Sequence, residues 1–277
     1  MRAANRSNRK WTPYGSAGLW HLSTTSDVAR NVSGINKWIR ESRCRPYNFA
    51  LRSDGCRNVH VTPCGEIFNL QGLNTIEINE DKTEVTVGTG ATCGRVYQNL
   101  DPLDLSRESN QFRVERLTTT ADLSSYLGRF GVIFDNVVRF EVVLASGEII
   151  NVAKDDEKYA DLFNALQRGY SNFVVVTRFT FKVFRQGRVW RGTLIHSLET
   201  KDQQLQAFFD FANYVNRDPS ASVIHSFDFN TKRGACFVNS VVYPEPASEQ
   251  LPLINPFLTL EPITMNTLRE SSLTDLV

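Results

Sequence analysis

The sequence predicts an α+β fold, and three consecutive stretches between Asp135 and Phe184 carry that prediction. Val138 to Leu144 and Glu148 to Val152 are apolar, β-branched runs joined by Ala-Ser-Gly. With Gly147 able to take positive φ at the turn, they read as a β-hairpin. A helix follows, opened by Asp155 or Asp156. Its residues Tyr159, Leu162, Phe163 and Leu166 recur at i, i+3, i+4 and i+7 and make one apolar stripe. Gly169 is placed to end it as a left-handed cap. Phe173 to Phe184 then alternates over a long β-branched run, the pattern of a strand in a half-buried sheet.

The other elements extend this unit in both directions. Thr25-Ser26-Asp27 caps a helix with the stripe Val28, Val32, Ile35 and Ile39. Tyr47 to Leu51 reads as a strand leading into the loop Arg52-Ser53-Asp54-Gly55-Cys56. Asn74 to Val87 is a second hairpin, turning at Asn79-Glu80-Asp81-Lys82. Gly88, Gly90 and Gly94 make a tight passage into a helix striped by Val96 and Leu100. No βαβ context with a downstream ribose-binding acid surrounds these glycines, so they read as packing residues. Beyond Phe184, Thr200-Lys201-Asp202-Gln203 reads as a capping box. It opens a helix with Leu205, Phe208, Phe209, Ala212 and Val215 on one face, and strands are expected over Val189 to His196, Ser222 to Phe229 and Ala235 to Tyr243.

The order D-N-V from Asp135, V-V-L-A-S-G from Val142, D-L-F-x-A-L from Asp161 and N-F-x-V-V-T-x-F from Asn172 carries a resemblance. It resembles the FAD-binding domain of the berberine-bridge-enzyme-like flavoprotein oxidases, in the p-cresol methylhydroxylase (PCMH) and vanillyl-alcohol oxidase superfamily. The resemblance implies a PCMH-type FAD-binding domain of two α+β subdomains over residues 25–186, after an N-terminal extension over 1–24. A partial antiparallel-sheet substrate domain over 187–277 would follow. It implies an FAD-linked oxidoreductase that moves a hydride from a small-molecule alcohol or C–H substrate to the flavin, with dioxygen reoxidising it. In the family the chain continues through further substrate-domain strands and returns to the flavin domain, and that part contributes the catalytic base. No catalytic residue is therefore assigned. The expectation is a C-terminally truncated member whose unfinished sheet edge promotes self-association.

The same resemblance places the cofactor on three loops: Arg52, Ser53, Asp54, Gly55 and Cys56; Thr120, Ala121 and Asp122; and Phe173, Val174 and Val175. The first is R-S-G-G-H or R-G-G-G-H in the family. Glycine serves there because it permits φ > 0 and lets backbone N–H groups approach phosphate oxygens with no Cβ in the way. Asp54 sets a carboxylate at one glycine position, and at about 4 Å with an effective dielectric near 20 each phosphate repulsion is on the order of 4 kcal/mol. Cys56 stands where the family has a histidine that often bonds the flavin covalently; a small unreactive thiol is the plainer reading. From Leu117 the chain aligns with L-T-L-G-G-G-I-S-Y-F-S-x-R-Y-G, so Thr120, Ala121 and Asp122 replace three glycines. Val174 replaces a fourth with a β-branched residue that does not readily take φ > 0. The scaffold positions match while the cofactor positions depart, so FAD is expected to be held weakly or not at all. A folded scaffold of the same lineage without flavin, and a truncated non-functional product, are the alternatives.

Other candidates carry less. Arg107, Arg113 and Arg116 are interleaved with Glu108 and Glu115, which reads as a solvated loop rather than a phosphate clamp. His60 reads as a surface residue, and His196 and His225 as strand residues without a catalytic partner. The chain of 277 residues is 41% hydrophobic with net charge +1, which argues against a nucleic-acid surface. No apolar run reaches membrane-spanning length. The basic N-terminus has no apolar core, so no secretory signal is read and the cytoplasm is the default compartment, although the family is often secreted. Five cysteines show no metal-ligand spacing, and the odd count leaves a thiol unpaired.

Overall fold

The computed structural model describes residues 9–10, 18–42, 49–52, 66–107, 125–169, 172–214, 218–231, 234–244 and 252–276. The chain divides into two units, one of Met1–Val96, Asn110–Asp122 and Ile133–Val183, the other of Tyr97–Ser109, Leu123–Val132 and Phe184–Val277.

The first unit holds two sheets. One is β1 (Arg9–Lys10), β2 (Gly18–His21), β3 (Phe49–Arg52) and β4 (Glu66–Asn69), in the order β1-β2-β4-β3. β2 and β3 both run parallel to β4, so the connection between them must cross over, and α1 (Thr25–Ser42) provides that crossover. Its N-terminus is a reciprocal box one residue earlier than the sequence reading. Thr24 Oγ1 accepts the Asp27 N–H at 3.1 Å, and Asp27 Oδ2 accepts the Thr24 N–H at 3.2 Å. Val28 and Val32 are buried as expected, in a cluster with Leu22, Phe68, Leu70 and Leu73. The side chain of Ile39 lies outside the described residues.

The second sheet is antiparallel, in the order β5-β6-β10-β8-β9: β5 (Ile76–Ile78), β6 (Glu84–Gly88), β8 (Val137–Val143), β9 (Ile149–Ala153) and β10 (Val175–Lys182). Both expected hairpins form, and Gly147 at the second turn has φ +89°. β10 is central and buried on both faces over most of its length, which corrects the half-buried alternation read from sequence. The physical reason is its place between β6 and β8, with Phe179 packed edge-on to Phe140 at 5.8 Å. Phe140 in turn meets Phe163 of α4 (Ala160–Arg168) at 5.3 Å. Gly169 ends α4 with φ −97°, not in the left-handed region. Glycine is needed there for space: a Cβ would stand 2.2 Å from the Phe173 ring and 2.5 Å from the Ala165 carbonyl oxygen.

One carboxylate ties the two layers together. Glu141 of β8 accepts hydrogen bonds from the Thr25 hydroxyl at 2.6 Å and the Thr177 hydroxyl at 2.7 Å. Replacing Glu141 with Ala removes the one oxygen, Oε1, that accepts from both hydroxyls and is expected to cost about 1–2 kcal/mol. Thermal unfolding of the variant would register that as a fall of a few degrees. An unchanged midpoint would show that the brace carries no net stability.

The second unit is built on an antiparallel sheet in the order β13-β14-β12-β15, with β12 (Val189–Ser197), β13 (Ser222–Asn230), β14 (Gly234–Tyr243) and β15 (Ile263–Asn266). β16 (Arg269–Ser271) pairs with the start of β12, and a two-stranded piece joins β7 (Leu105–Ser106) to β11 (Phe184–Arg185). Beside it, Phe130 of α3 (Leu127–Phe130) stacks on Phe184 at 4.1 Å. α2 (Cys93–Leu100) straddles the division in the chain, with Val96 and Leu100 buried as its stripe requires.

α5 (Lys201–Tyr214) and α6 (Asn255–Thr259) cover one face of the sheet around Leu194, Ala207, Phe211, Ala221 and Phe257. Three sequence readings are corrected here. The chain enters α5 through a short 3-10 turn, Leu198–Thr200, capped by the Ser197 hydroxyl, and the Thr200 hydroxyl donates to the Ser197 carbonyl instead of forming a capping box. α5 is also rotated from its apparent stripe. Gln204, Ala207 and Phe211 face the sheet and Phe208 of the expected stripe packs half-buried against the same core, while Leu205, Phe209 and Ala212 are exposed and Val215 lies outside the described residues. The cause is a buried amide network: Asn239 of β14 donates to Gln204 Oε1 at 2.9 Å, and a buried polar group held this way outranks another apolar contact. Finally, Arg107 is buried, not solvated; Arg113 and Arg116 lie outside the described residues. Among the described residues no helix is long and apolar enough to cross a membrane.

Candidate functional site

The carboxyl ends of parallel strands are where ligand-binding loops leave a sheet. In the first unit these ends belong to β2, β4 and β3, and pairing sets His21 and Arg52 on either side of Asn69. Asn69 is buried and fully engaged. Its side-chain amide donates to Gln71 Oε1 at 3.0 Å and to His21 Nδ1 at 3.1 Å, and its oxygen accepts the Gln71 N–H at 3.1 Å. Because Nδ1 of His21 accepts, the proton of the neutral ring lies on Nε2. Sequence reading missed His21, Asn69 and Gln71, since Asn69 and His21 lie 48 positions apart and share no motif.

Arg52 closes β3. Its carbonyl accepts the Leu70 N–H at 2.7 Å and its side chain is exposed, which leaves a guanidinium at this edge for an anionic group. Ser53, Asp54, Gly55 and Cys56 follow it and lie outside the described residues, as do His60, Thr120, Ala121 and Asp122.

The third predicted stretch is described. Phe173 is exposed, Val174 is half-buried, and Val175 sits in the same buried cluster as Phe68, Leu70 and Val143. Leu51, next to Arg52, packs against that cluster, so the structure brings the ends of the first and third stretches onto one apolar floor. Among the described residues the non-glycine positions with positive φ are Lys82 and Asp104, so Val174 does not reproduce a glycine-like turn. Val175 spends its side chain on the core. Of the described residues, Arg52 fits a phosphate-facing role and the Val174-Val175 backbone does not fit one that needs φ > 0.

Gly88 and Gly90 serve packing, as read from sequence. A Cβ at either would stand 2.2 Å from a backbone carbonyl oxygen, that of Leu73 or of Leu70. Among the described residues no group of His, Cys, Asp and Glu could hold a metal ion. Cys93 and Cys236 are buried thiols, and Cys44, Cys56 and Cys64 lie outside the described residues.

No protein-family model matches the chain. Curated relatives do. The FAD-dependent monooxygenase CTB5 of Cercospora nicotianae is 31% identical over 246 residues, covering 85% of this chain and 52% of the relative. The FAD-dependent monooxygenase sdcF of Emericella nidulans is 30% identical over 240 residues, covering 83% and 49%. The chain thus spans about half the length of these relatives. Among solved structures, 6-hydroxy-D-nicotine oxidase of Arthrobacter nicotinovorans superposes with a TM-score of 0.81 at 16% identity, over 96% of this chain and 58% of that one. BBE-like 28 of Arabidopsis thaliana gives 0.73 at 19% identity, over 94% and 53%. Relatives and fold agree with the motifs around Asp135 to Phe184: the chain is similar over most of its length to fungal FAD-dependent monooxygenases and has the fold of the berberine-bridge-enzyme-like oxidases.

Proposed function

We propose that this chain carries the flavin-binding region and the first part of the substrate domain of an FAD-linked oxidoreductase, with its hold on FAD weakened. The observation that carries the proposal is a family scaffold whose cofactor positions have changed: Val174 is a β-branched residue without positive φ where the family has glycine. Asp54, Cys56, Thr120, Ala121 and Asp122 add changes of the same kind in the other two loops. When bound, FAD supplies the redox chemistry, taking a hydride from an alcohol or C–H substrate and passing electrons to dioxygen. This chain's own share is to bind and orient. Arg52 would offer positive charge to the pyrophosphate, and Asp54 would oppose it with a carboxylate where the family has glycine.

The purified chain is expected to lose flavin absorption on dialysis. Restoring two glycines, Asp54→Gly with Val174→Gly, should then tighten FAD binding about 100-fold, since removing a few kcal/mol of repulsion and backbone misfit is worth that factor. Titration followed by flavin fluorescence measures it. A wild-type protein that stays yellow through dialysis overturns the weakened site. Flavin that also survived denaturation would identify Cys56 as its attachment point, and Cys56→Ala should release it. If the double glycine variant gains nothing, the reading gives way to a scaffold of the same lineage that works without flavin.

A further inference from the structure

Beneath α5, side chains from four elements join in one hydrogen-bonded network: His196 of β12, Asn239 of β14, His225 of β13 and Gln204 of α5. His196, Asn239 and Gln204 are fully buried, so solvent does not set the direction of these bonds. A main-chain group does. The Phe257 carbonyl can only accept, so the His196 Nε2 at 3.0 Å carries a proton and the neutral ring keeps its lone pair on Nδ1. Asn239 must then turn its Nδ2 to that nitrogen, at 3.4 Å, and Nδ2 also donates to Gln204 Oε1 at 2.9 Å. Its Oδ1 is left to accept from His225 Nδ1 at 2.6 Å, so His225 carries its proton on Nδ1 and has a bare Nε2. Among the described residues neither that Nε2 nor the Gln204 Nε2 has a hydrogen-bond partner, and both are buried.

A proton on His196 Nδ1 contradicts this arrangement, because two N–H groups would then face each other in a buried site. Neither ring can turn aside. His196 is tied to the Phe257 carbonyl, and the His225 ring is stacked between Phe208 at 5.0 Å and Phe237 at 5.3 Å. The movable part is the Asn239 amide, whose terminal torsion is roughly two-fold and whose oxygen and nitrogen exchange places within the same volume. Of the titratable groups that bear on His196, Glu261, between α6 and β15, favours the proton and His225 opposes it, as does burial.

We propose that proton uptake at His196 Nδ1 reverses the Asn239 amide and moves the His225 proton from Nδ1 to Nε2. In the reversed state Asn239 Oδ1 accepts from the His196 Nδ1–H, a charge-assisted bond in place of a long neutral one. Asn239 Nδ2 turns to His225, whose Nδ1 becomes the acceptor by releasing its proton to solvent while Nε2 takes one up. One proton enters in all, on His196, and His225 stays neutral. Gln204 turns with Asn239, so that its Nε2 donates to Oδ1 and its oxygen moves to the position without a partner. A buried carbonyl short of a partner is better tolerated than a buried N–H. α5 is thus held to β14 in both states, and the change is delivered to β13, where His225 Nε2 turns from an acceptor into a donor. The inference is independent of the flavin reading.

The ¹⁵N imidazole resonances of the full chain report the switch directly, because protonated and bare ring nitrogens are resolved and the sequence has four histidines to assign. Between about pH 8 and about pH 5, His196 should pass from Nε2–H to imidazolium while His225 passes from Nδ1–H to Nε2–H, with one shared midpoint. In His196→Gln, which takes up no proton, His225 should hold a single tautomer over the range in which wild type exchanges. Asn239→Asp keeps the size and presents two oxygens that accept from both rings at once, so there His225 should stay on Nδ1–H. Circular dichroism follows folding over the same range. A wild-type His225 that keeps Nδ1–H after His196 is protonated overturns the proposal. So does a tautomer exchange that persists in either variant, or a wild-type chain that unfolds before His196 takes its proton.

Discussion

Replacing Gly90 with alanine is expected to cost the first unit about 3 kcal/mol or more, enough to shift chemical unfolding to much lower denaturant. The new Cβ would lie 2.2 Å from the Leu70 carbonyl oxygen and 2.8 Å from both the carbonyl carbon and the Cα of Gln71. All three atoms are backbone, so no rotamer change relieves the contact. The surrounding chain has little room to yield, because the Gly90 N–H donates to the Leu73 carbonyl at 2.8 Å and the Gly88 N–H to the Thr75 carbonyl at 2.9 Å. Gly34 is the internal control. It lies within α1 with nothing within 4 Å of its would-be Cβ. Gly34→Ala should therefore be neutral or stabilise by up to about 1 kcal/mol through helix propensity. Urea unfolding of both variants decides the matter. A Gly90→Ala protein within about 1 kcal/mol of wild type would mean that the approach of the residue 70–71 backbone to this turn is not what fixes the glycine.

The contrast between these two glycines shows what was legible in the sequence. Local periodicity revealed the two hairpins, α1, α4 and the long strands, because each has an internal hydrophobic rhythm or a turn residue at its hinge. β2 and β4 have neither. They are four-residue parallel strands that exist through one another and the α1 crossover, so nothing within Gly18–His21 or Glu66–Asn69 announces a strand. α5 failed for the opposite reason: it has two apolar faces, and the one that is buried is chosen by Gln204 meeting an amide 35 positions away. At the candidate site, a motif marked Arg52 and the stretch from Phe173 to Val175. His21, Asn69 and Gln71 emerged from strand register alone. What a family motif marks is the loop; what holds the loop's base is long-range pairing.

That same long-range pairing makes Asn239 the residue of the second unit whose loss is expected to cost most, about 3–5 kcal/mol on replacement by alanine. Its side chain serves three partners: it donates to Gln204 Oε1 at 2.9 Å and to His196 Nδ1 at 3.4 Å, and accepts from His225 Nδ1 at 2.6 Å. Gln204 and His196 are buried, so removing the hub leaves their polar atoms without water to replace it. The bonds also fix protonation. His196 donates from Nε2 to the Phe257 carbonyl at 3.0 Å, so Nδ1 must stay unprotonated to receive the Asn239 amide. Burial pushes the His196 pKa below its ordinary value of 6.5; the Phe257 carbonyl and the Glu261 carboxylate favour the proton and His225 opposes it. A base whose folded pKa is depressed takes up its proton more readily when unfolded. Stability from this group is therefore complete above pH 6.5 and is lost as pH falls below it. Urea unfolding monitored for this unit between about pH 8 and pH 5 should show the loss in wild type and a shallower slope in His196→Gln, which cannot titrate. In Asn239→Ala the large drop should already be present at pH 8, because it comes from orphaned hydrogen bonds and not from a proton. If Asn239→Ala matches wild type at pH 8, the amide hub does not hold this core together, and α5 owes its rotation to something other than Gln204.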